Sequence, residues 1–393
     1  MIYREKYLAE IRGFYHDDLI KIITGVRRCG KSFVLQQIRE EISKSSDNII
    51  SFDFDDRFAT AEIQTWQDIV DAVQKNRKEG LCYVFLDEVQ EIEGWSHACR
   101  ALRREQCSVF ITGSNSKLLS KEYTKELSGR YVSFRIRPFV FSELMEYAQQ
   151  LHRACSVTDY VIWGGFPKRL EYETLPEQKR YLSDLNETII VNDLINRYKI
   201  RKTEEFRKVI NFILISNGRI YSVKSISDYM LGNGTQVTPN TVQKWITYLE
   251  NAFIIDEVSR YSRKAKKELE QSKKIYNCDV SLNSIRCRDN RYDLTHNLEN
   301  IVYNELIYRG YAVTVYDNNG REIDFLAEKE GKKYYVQVAW SVVESKAWER
   351  EFTAFSGIPV YDRKILITND EVDYSTSAVE HIRLADFLRR DAL

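Results

Sequence analysis

The chain has no excess of charge, no paired cysteines and no long apolar run, and each absence excludes a class of protein. Its 58 Lys and Arg are matched by 58 Asp and Glu. No overall basic field exists to coat nucleic acid, so any such contact must be a local patch. The seven cysteines (Cys29, Cys82, Cys99, Cys107, Cys155, Cys278 and Cys287) form no CxxC pair and no metal-ligand spacing. An odd, scattered set fits reduced thiols in a cytosol, not a disulfide framework. The five histidines (His16, His97, His152, His296 and His381) show no HxxxH or HxH spacing, so no zinc site is expected. Apolar runs fall short of the roughly 18 residues that suggest a membrane span. The charged start MIYREKYLAEI lacks the apolar segment of a signal peptide. A cytoplasmic location without membrane contact is the expectation. Repeats and low-complexity tracts are absent as well.

What is present is a globular composition, 43% hydrophobic and 30% charged over 393 residues, long enough for two or three domains. Apolar runs at Lys21–Thr24, Asn48–Phe54, Tyr83–Leu86 and Ser108–Thr112 alternate with helical patterns at Ser32–Ser43, Trp66–Lys78 and Trp95–Arg104. Such alternation predicts an α/β domain with a parallel sheet covered by helices on both faces. Phosphate ligands of such sheets lie at the carboxyl ends of the strands.

The glycine-poor chain (16 Gly) carries one loop, Gly25-Val26-Arg27-Arg28-Cys29-Gly30-Lys31-Ser32, that fits G-x-x-x-x-G-K-[ST]. It follows the apolar KIIT and opens the helical SFVLQQIREEI. Its backbone N–H groups would curl around phosphates, with the helix N-terminus adding positive charge. Lys31 would reach the terminal phosphates, and the Ser32 hydroxyl would ligate Mg²⁺. Gly25 to Ser32 and Phe33 form the expected nucleotide-binding set. Arg27 and Arg28 read as facing solvent or a partner, and Cys29 as a small filler. The run YVFL ends in Asp87 and Glu88, which would hold Mg²⁺ and deprotonate the attacking water. A third strand, SVFIT, leads to Gly113-Ser114-Asn115, where Asn115 would contact the γ-phosphate or position water. Arg130 is the first candidate for a charge-sensing or finger arginine, in competition with Arg135 and Arg137.

Together, GVRRCGKS, FLDEVQ, TGSN, the stretch from SGR to RPFVFSE and GGFP resemble the prokaryotic AAA-type ATPases of the AAA_14 group. In those proteins a DUF4143 region follows, and LENIVYNELIYRGY, EIDFLA and YYVQVAW resemble it, so the likeness runs the full length. The resemblance implies an Mg²⁺-dependent ATPase that prefers ATP over GTP; no N-K-x-D guanine reader is present.

The expected division is a P-loop ATPase core over 1–140, a helical extension over 141–204, a winged-helix-like domain over 205–285 and a nuclease-like α/β domain over 286–393. The winged-helix reading rests on helical patterns at Glu205–Ser216, Val223–Leu231 and Pro239–Asn251, then β-type stretches at Ile254–Tyr261 and Lys274–Cys278 around a charged separator. In that order Pro239–Asn251 is a recognition helix. Asn240, Thr241, Gln243 and Lys244 would face a groove while Val242, Trp245, Ile246 and Leu249 pack inward. The tip residues Arg263, Lys264, Lys266 and Lys267 suit phosphate contact. A protein-docking winged helix with a solvated tip is the other reading.

The last segment resembles the PD-(D/E)xK nuclease fold. Glu299 and Asp324 occupy the places of two acids, but Gln337 and Ala339 stand where an acid and a lysine belong, so cleavage is not expected. Nearby Glu344, Lys346 and Glu349 read as a solvated helix. The expected whole is an ATPase whose nucleotide state controls C-terminal modules acting on DNA or a protein partner, with self-association left open. The alternatives are a nucleotide-gated switch with little turnover and, further back, an ATP-driven nuclease.

Overall fold

The computed structural model describes residues 2–56, 58, 60–113, 127–262, 267–287 and 289–393, with the side chains of 262–272 left out. The chain divides into two compact units, Met1–Pro138 with Asn251–Phe253, and Phe139–Glu250 with Ile254–Leu393.

In the first unit the elements run α1 (Glu5–Arg12), β1 (Ile20–Thr24), α2 (Lys31–Ser43), β2 (Ile49–Asp53), α3 (Trp66–Asn76), β3 (Cys82–Asp87), α4 (Trp95–Arg104), β4 (Cys107–Gly113) and β5 (Tyr131–Arg135). The strands form one sheet in the order β2-β3-β4-β1-β5, and every pairing is parallel. β1 and β4 are buried throughout, as strands covered on both faces must be. One face packs Ile22, Val84, Leu86, Val109 and Ile111 against Ile69 and Val73 of α3 and Trp95, Ala98 and Leu102 of α4. At ~25 cal/mol per Å², each large side chain buried there contributes about 2 kcal/mol. α3 starts where Thr65 and Asp68 cap each other, a pairing that satisfies amide groups otherwise left open. β1 also buries Lys21, whose Nζ donates to Asp17 O at 2.9 Å and Ser108 Oγ at 2.8 Å. Burial pushes that ammonium down to about 8 against the charges of Asp17 and Asp18.

The predicted strands and helices of this unit all form, with ends shifted by two residues or fewer. α1 and β5 were not expected. β5 is an edge strand with partly exposed residues, so it lacks the apolar run that marks the others.

The second unit begins with α5 (Phe141–Gln150), α6 (Val157–Trp163) and α7 (Leu175–Thr188), which continues as a π-helical stretch, Ile189–Asn196. Then come α8 (Thr203–Ile215), β6 (Ile220–Tyr221), α9 (Val223–Gly232), α10 (Pro239–Asn251), β7 (Ile255–Ser262), β8 (Lys267–Asn277), α11 (Leu294–Tyr308), β9 (Ala312–Asn318), β10 (Arg321–Lys329), β11 (Lys332–Ala339), α12 (Ser345–Ala354), β12 (Arg363–Thr368) and β13 (Glu380–Arg383). Eight strands share one mixed sheet in the order β13-β12-β11-β10-β9-β7-β8-β6. The hairpin β7–β8 and the strands after α11 are thus continuous, because β7 pairs in parallel with β9. The sequence reading placed a boundary at 285/286, but sheet pairing between strands on either side is invisible to a local pattern.

The helices from Phe139 on fall in this second unit. GGFP explains part of that. Asp279, fully buried after β8, accepts the Gly165 N–H at 2.6 Å and the Ser281 N–H at 2.9 Å. A Cβ on Gly165 would sit 1.8 Å from Phe139 O. Arg169 next to the motif is wholly buried and donates to Gly164 O, Asp159 Oδ2 and Gln178 Oε1. α11 is buried on nearly all sides from Asn297 to Leu306, the mark of a central helix.

Candidate nucleotide site and the C-terminal acidic cluster

β1 ends at Thr24 and the chain turns through the glycine loop into α2. Gly25 has φ +148°, and a Cβ there would lie 2.2 Å from Ile136 O and 2.8 Å from Cys29 Sγ. Gly30 adopts φ +101° just before α2. Both positions therefore need glycine, one for space and one for its backbone. Arg28 also has positive φ (65°) with an exposed side chain, while Arg27 is half-buried. Cys29 is buried, with Sγ 3.4 Å from Ile136 O, and burial pushes its thiol up despite Lys31 and Arg4 nearby. A buried thiol with a raised pKa is a filler, not a reactive group.

The strand order places β4 between β1 and β3, so the loop after β1 and the acids after β3 flank the end of β4. Thr112 on β4 makes the connection. Its hydroxyl donates to Asp87 Oδ1 and accepts the Glu88 N–H at 3.0 Å. Ser32, in the first turn of α2, also acts on Asp87 and favours its charged form. Burial raises the Asp87 carboxyl above the ordinary range; Thr112 and Ser32 oppose the shift, and the charges of Glu88 and Asp53 add to it.

Lys31 is only 4% exposed, with Nζ 3.4 Å from Val26 O and 3.7 Å from Glu88 Oε1. Glu88 has a left-handed backbone (φ 48°) and its other oxygen accepts from Gln90 Nε2. A non-glycine residue held there stores strain of the kind that accumulates at functional sites. Asp55 after β2 joins the rim: burial and the Glu88 charge raise its carboxyl, and Arg27 and Arg28 lower it.

Of the residues singled out, Gly25 to Ser32, Asp87 and Glu88 come together at the carboxyl edge of the sheet. Phe33, in the first turn of α2, is 49% exposed. Asn115 lies outside the described residues. Arg130, which the sequence reading also offered as an arginine supplied by a neighbouring subunit, does not join the loop and acids. It precedes β5, and its carbonyl accepts the Ile20 N–H at 2.9 Å, at the amino end of β1. Because β5 runs parallel to β1, Arg130 sits about 16 Å of strand away from the loop end, at ~3.3 Å per residue. Arg135, paired with Thr24, is the arginine that β5 carries to the loop end.

The sequence reading missed Arg4, Thr112 and Gln90. Arg4 is buried and its Nη1 donates to Cys29 O at 3.1 Å and Arg137 O at 3.0 Å. Its N–H donates to Gln37 Oε1, and Gln37 returns a bond to Ile2 O. The N-terminal segment thus braces the back of the loop. Nothing local marks Arg4; Thr112 was readable as the polar end of an apolar strand.

In the second unit, Val242, Trp245, Ile246 and Leu249 of α10 are buried while Asn240, Gln243 and Lys244 are exposed and Thr241 is half-buried. Thr238 accepts the Thr241 N–H at 3.2 Å, capping the helix. Lys244 lies 5.8 Å from the ring of Tyr248, which stacks on Tyr198 at 3.6 Å. Arg263, Lys264 and Lys266 lie outside the described residues, as does the side chain of Lys267.

Glu299 on α11 and Asp324 on β10 also meet, around Lys274 of β8. Its Nζ lies 2.7 Å from Glu299 Oε1, 2.8 Å from Glu322 Oε1 and 3.6 Å from Asp324 Oδ1. Burial would lower that ammonium, but the carboxylates outweigh it and its pKa is raised. Burial and the Glu299 charge push Asp324 well above the usual carboxylate range. Gln337 donates to Glu351 at 2.6 Å, and its Oε1 accepts the Asp324 N–H at 3.2 Å. Among the described residues no group of three His, Cys, Asp or Glu side chains is spaced to hold a metal ion. No helix among them is long and apolar enough to cross a membrane.

A parallel five-stranded sheet with a glycine loop between β1 and α2, and acids ending a strand one place removed, defines a P-loop ATPase of the AAA type. An AAA-domain family model, AAA_14, matches residues 17–145. Two models described as domains of unknown function, DUF8612 and DUF4143, match 156–287 and 294–387. An uncharacterized protein of Haemophilus influenzae is 32% identical over 99% of this chain and 98% of its own length. One of Methanocaldococcus jannaschii is 27% identical over 90% of this chain and 82% of its own. The chain belongs to this AAA_14/DUF4143 family of AAA-type P-loop ATPases. In fold it is similar to the Walker-type ATPase PABY2304 of Pyrococcus abyssi, with a TM-score of 0.52, 14% identity, and coverage of 73% of this chain and 96% of that one.

Proposed function

We propose that the protein binds and hydrolyses ATP with Mg²⁺ in the cytoplasm, and that nucleotide state controls how its second unit engages DNA or a protein partner. The observation that carries this reading is the meeting of Lys31, Ser32, Asp87, Glu88 and Thr112 at the ends of β1, β3 and β4. The donor set fits Mg²⁺: the Ser32 hydroxyl beside the half-buried Asp87 carboxylate, which favours an added positive charge. Held by Ser32 and Asp87, Mg²⁺ would neutralise charge developing on the phosphates.

The remaining work falls to side chains and backbone. The loop N–H groups hold phosphate oxygens, and Lys31 leaves Glu88 for the terminal phosphate. Glu88, released from the lysine, accepts a proton from the attacking water, held in position by Gln90 and the Thr112 contact to its backbone. Phosphate release and nucleotide binding, measured side by side, test these roles. Lys31→Ala should lose binding. Glu88→Gln should bind ATP but turn over at least a hundredfold more slowly, general-base loss costing ~10²–10⁴. Wild-type turnover by Glu88→Gln would remove Glu88 from the mechanism.

A slow switch is the second reading, favoured by the Lys31–Glu88 approach of 3.7 Å, which engages both groups with each other before nucleotide arrives. Its signature is tight ATP binding with little phosphate release, unchanged by DNA. The exposed face of α10, with Asn240, Gln243 and Lys244, is the proposed nucleic-acid contact, in a helix-and-hairpin arrangement of winged-helix order.

A further inference from the structure

The cluster around Lys274 is assembled from three elements, and its centre is an amine supplied by the chain. Lys274 is 4% exposed and holds Glu299, Glu322 and Asp324 within 4 Å. Tyr276, two residues on and on the same face of β8, donates to the same Glu299 oxygen at 2.6 Å. The second oxygen of Asp324 accepts the Val338 N–H at 2.8 Å. Buried carboxylates persist only when paired and hydrogen-bonded; Glu299 and Asp324 meet both conditions internally, while Glu322 pairs with Lys274 through Oε1 and leaves Oε2 without a hydrogen-bond partner.

We infer that Lys274 is a built-in counter-ion that occupies the place of a divalent cation, so that this nuclease-shaped module is a metal-independent, non-cleaving element pinned to the β7–β8 hairpin. The closest separations, 2.7 and 2.8 Å, are those of charged N–H···O bonds. They are too wide for Mg²⁺, whose oxygen ligands lie at about 2.0–2.1 Å, and closer to the ~2.3–2.6 Å of Ca²⁺. Glu299, Asp324 and Gln337 are each less than a tenth exposed, so a phosphodiester would meet buried groups there, and only Glu322 among the paired acids is partly exposed, at 28%. The amine comes from a strand well before the motif, so the QVA sequence at 337–339 hides it. Ala339 lacks the lysine expected on β11, and β8 supplies one instead.

The test uses the full-length protein free of nucleotide, with melting temperature and Mn²⁺ binding followed as Ca²⁺ or Mn²⁺ is added. The wild type should show no cluster-dependent shift, and its response should match that of Asp324→Asn. Lys274→Ala should melt several degrees lower and regain about 3 °C with millimolar Ca²⁺. Lys274→Ala/Asp324→Asn should lose that recovery. If Lys274→Ala does not fold, Lys274→Ala/Glu322→Gln removes one acid along with the amine and carries the same expectation. Stabilisation of the wild type by metal that Asp324→Asn abolishes would overturn the inference. So would Mn²⁺-dependent nicking of plasmid lost in that variant, or a folded lysine variant that ignores both ions.

Discussion

At the scale of single residues, the nucleotide site holds its parts in mutual restraint. Asp87 is the sharpest instance, since its carboxyl is raised chiefly by burial. A carboxyl whose folded pKa lies above its unfolded one makes the ionised form a cost to folding. That cost is present at neutral pH and relieved as pH falls toward the folded value. Asp87→Asn should therefore raise the melting temperature of the nucleotide-free protein at pH 7 while abolishing Mg²⁺-dependent ATP binding. Calorimetry and nucleotide titration on one sample check both halves, and a lower melting point would show that the charge is already compensated. The positions of Lys31, Ser32, Asp87 and Glu88 at strand and helix ends were legible because local apolar and glycine patterns set those ends. Arg4 was not: its contacts to Cys29 O and Arg137 O join segments far apart in the chain.

Among the elements, α1 and α10 carry separate expectations. Arg4, which leads into α1, ties the loop's back to the segment after β5, so Arg4→Ala should weaken ATP binding about tenfold. That follows from losing charged hydrogen bonds of ~1.5–3 kcal/mol, part of which acts on loop geometry. Equal ATP affinity in this variant would show that the loop holds its shape unaided. On α10 the two faces should separate. Trp245→Ala empties a buried site packed edge-to-face on Phe206 at 5.2 Å and should cost about 3–5 kcal/mol in urea unfolding. Lys244→Ala should leave stability unchanged and, if α10 meets phosphates, reduce the salt dependence of DNA binding by about one contact. Unaltered salt dependence would instead favour a protein partner. Element types and the inward face of α10 were readable from periodicity. Partnership between strands was not, because β7 and β9 are hydrogen-bonded across the whole of α11.

For the whole molecule, the place of Arg130 at the amino end of the sheet bears on assembly. An arginine there cannot serve its own loop, so a finger role requires a second copy of the chain. Mixing Lys31→Ala with Arg130→Ala subunits should then restore ATPase above the average of the two alone, with a particle mass exceeding one chain. If Arg135→Ala loses turnover while Arg130→Ala keeps it and the mass stays that of a monomer, the arginine acts within the chain and is Arg135.

By itself the sequence determined the residue types and turn of the loop, the placing of the acids after β3 and the strand–helix rhythm of the first unit. Those properties reside in neighbouring residues: glycine where φ is positive, apolar runs where both faces are covered, charge where a strand ends. Only the tertiary structure decided that β4 inserts Thr112 between loop and acids, that Arg130 lies at the far edge, and that Lys274 sits among the acids of the C-terminal cluster. Each of these depends on strand order and parallel register, which hydrogen bonds between distant segments set and no local pattern encodes.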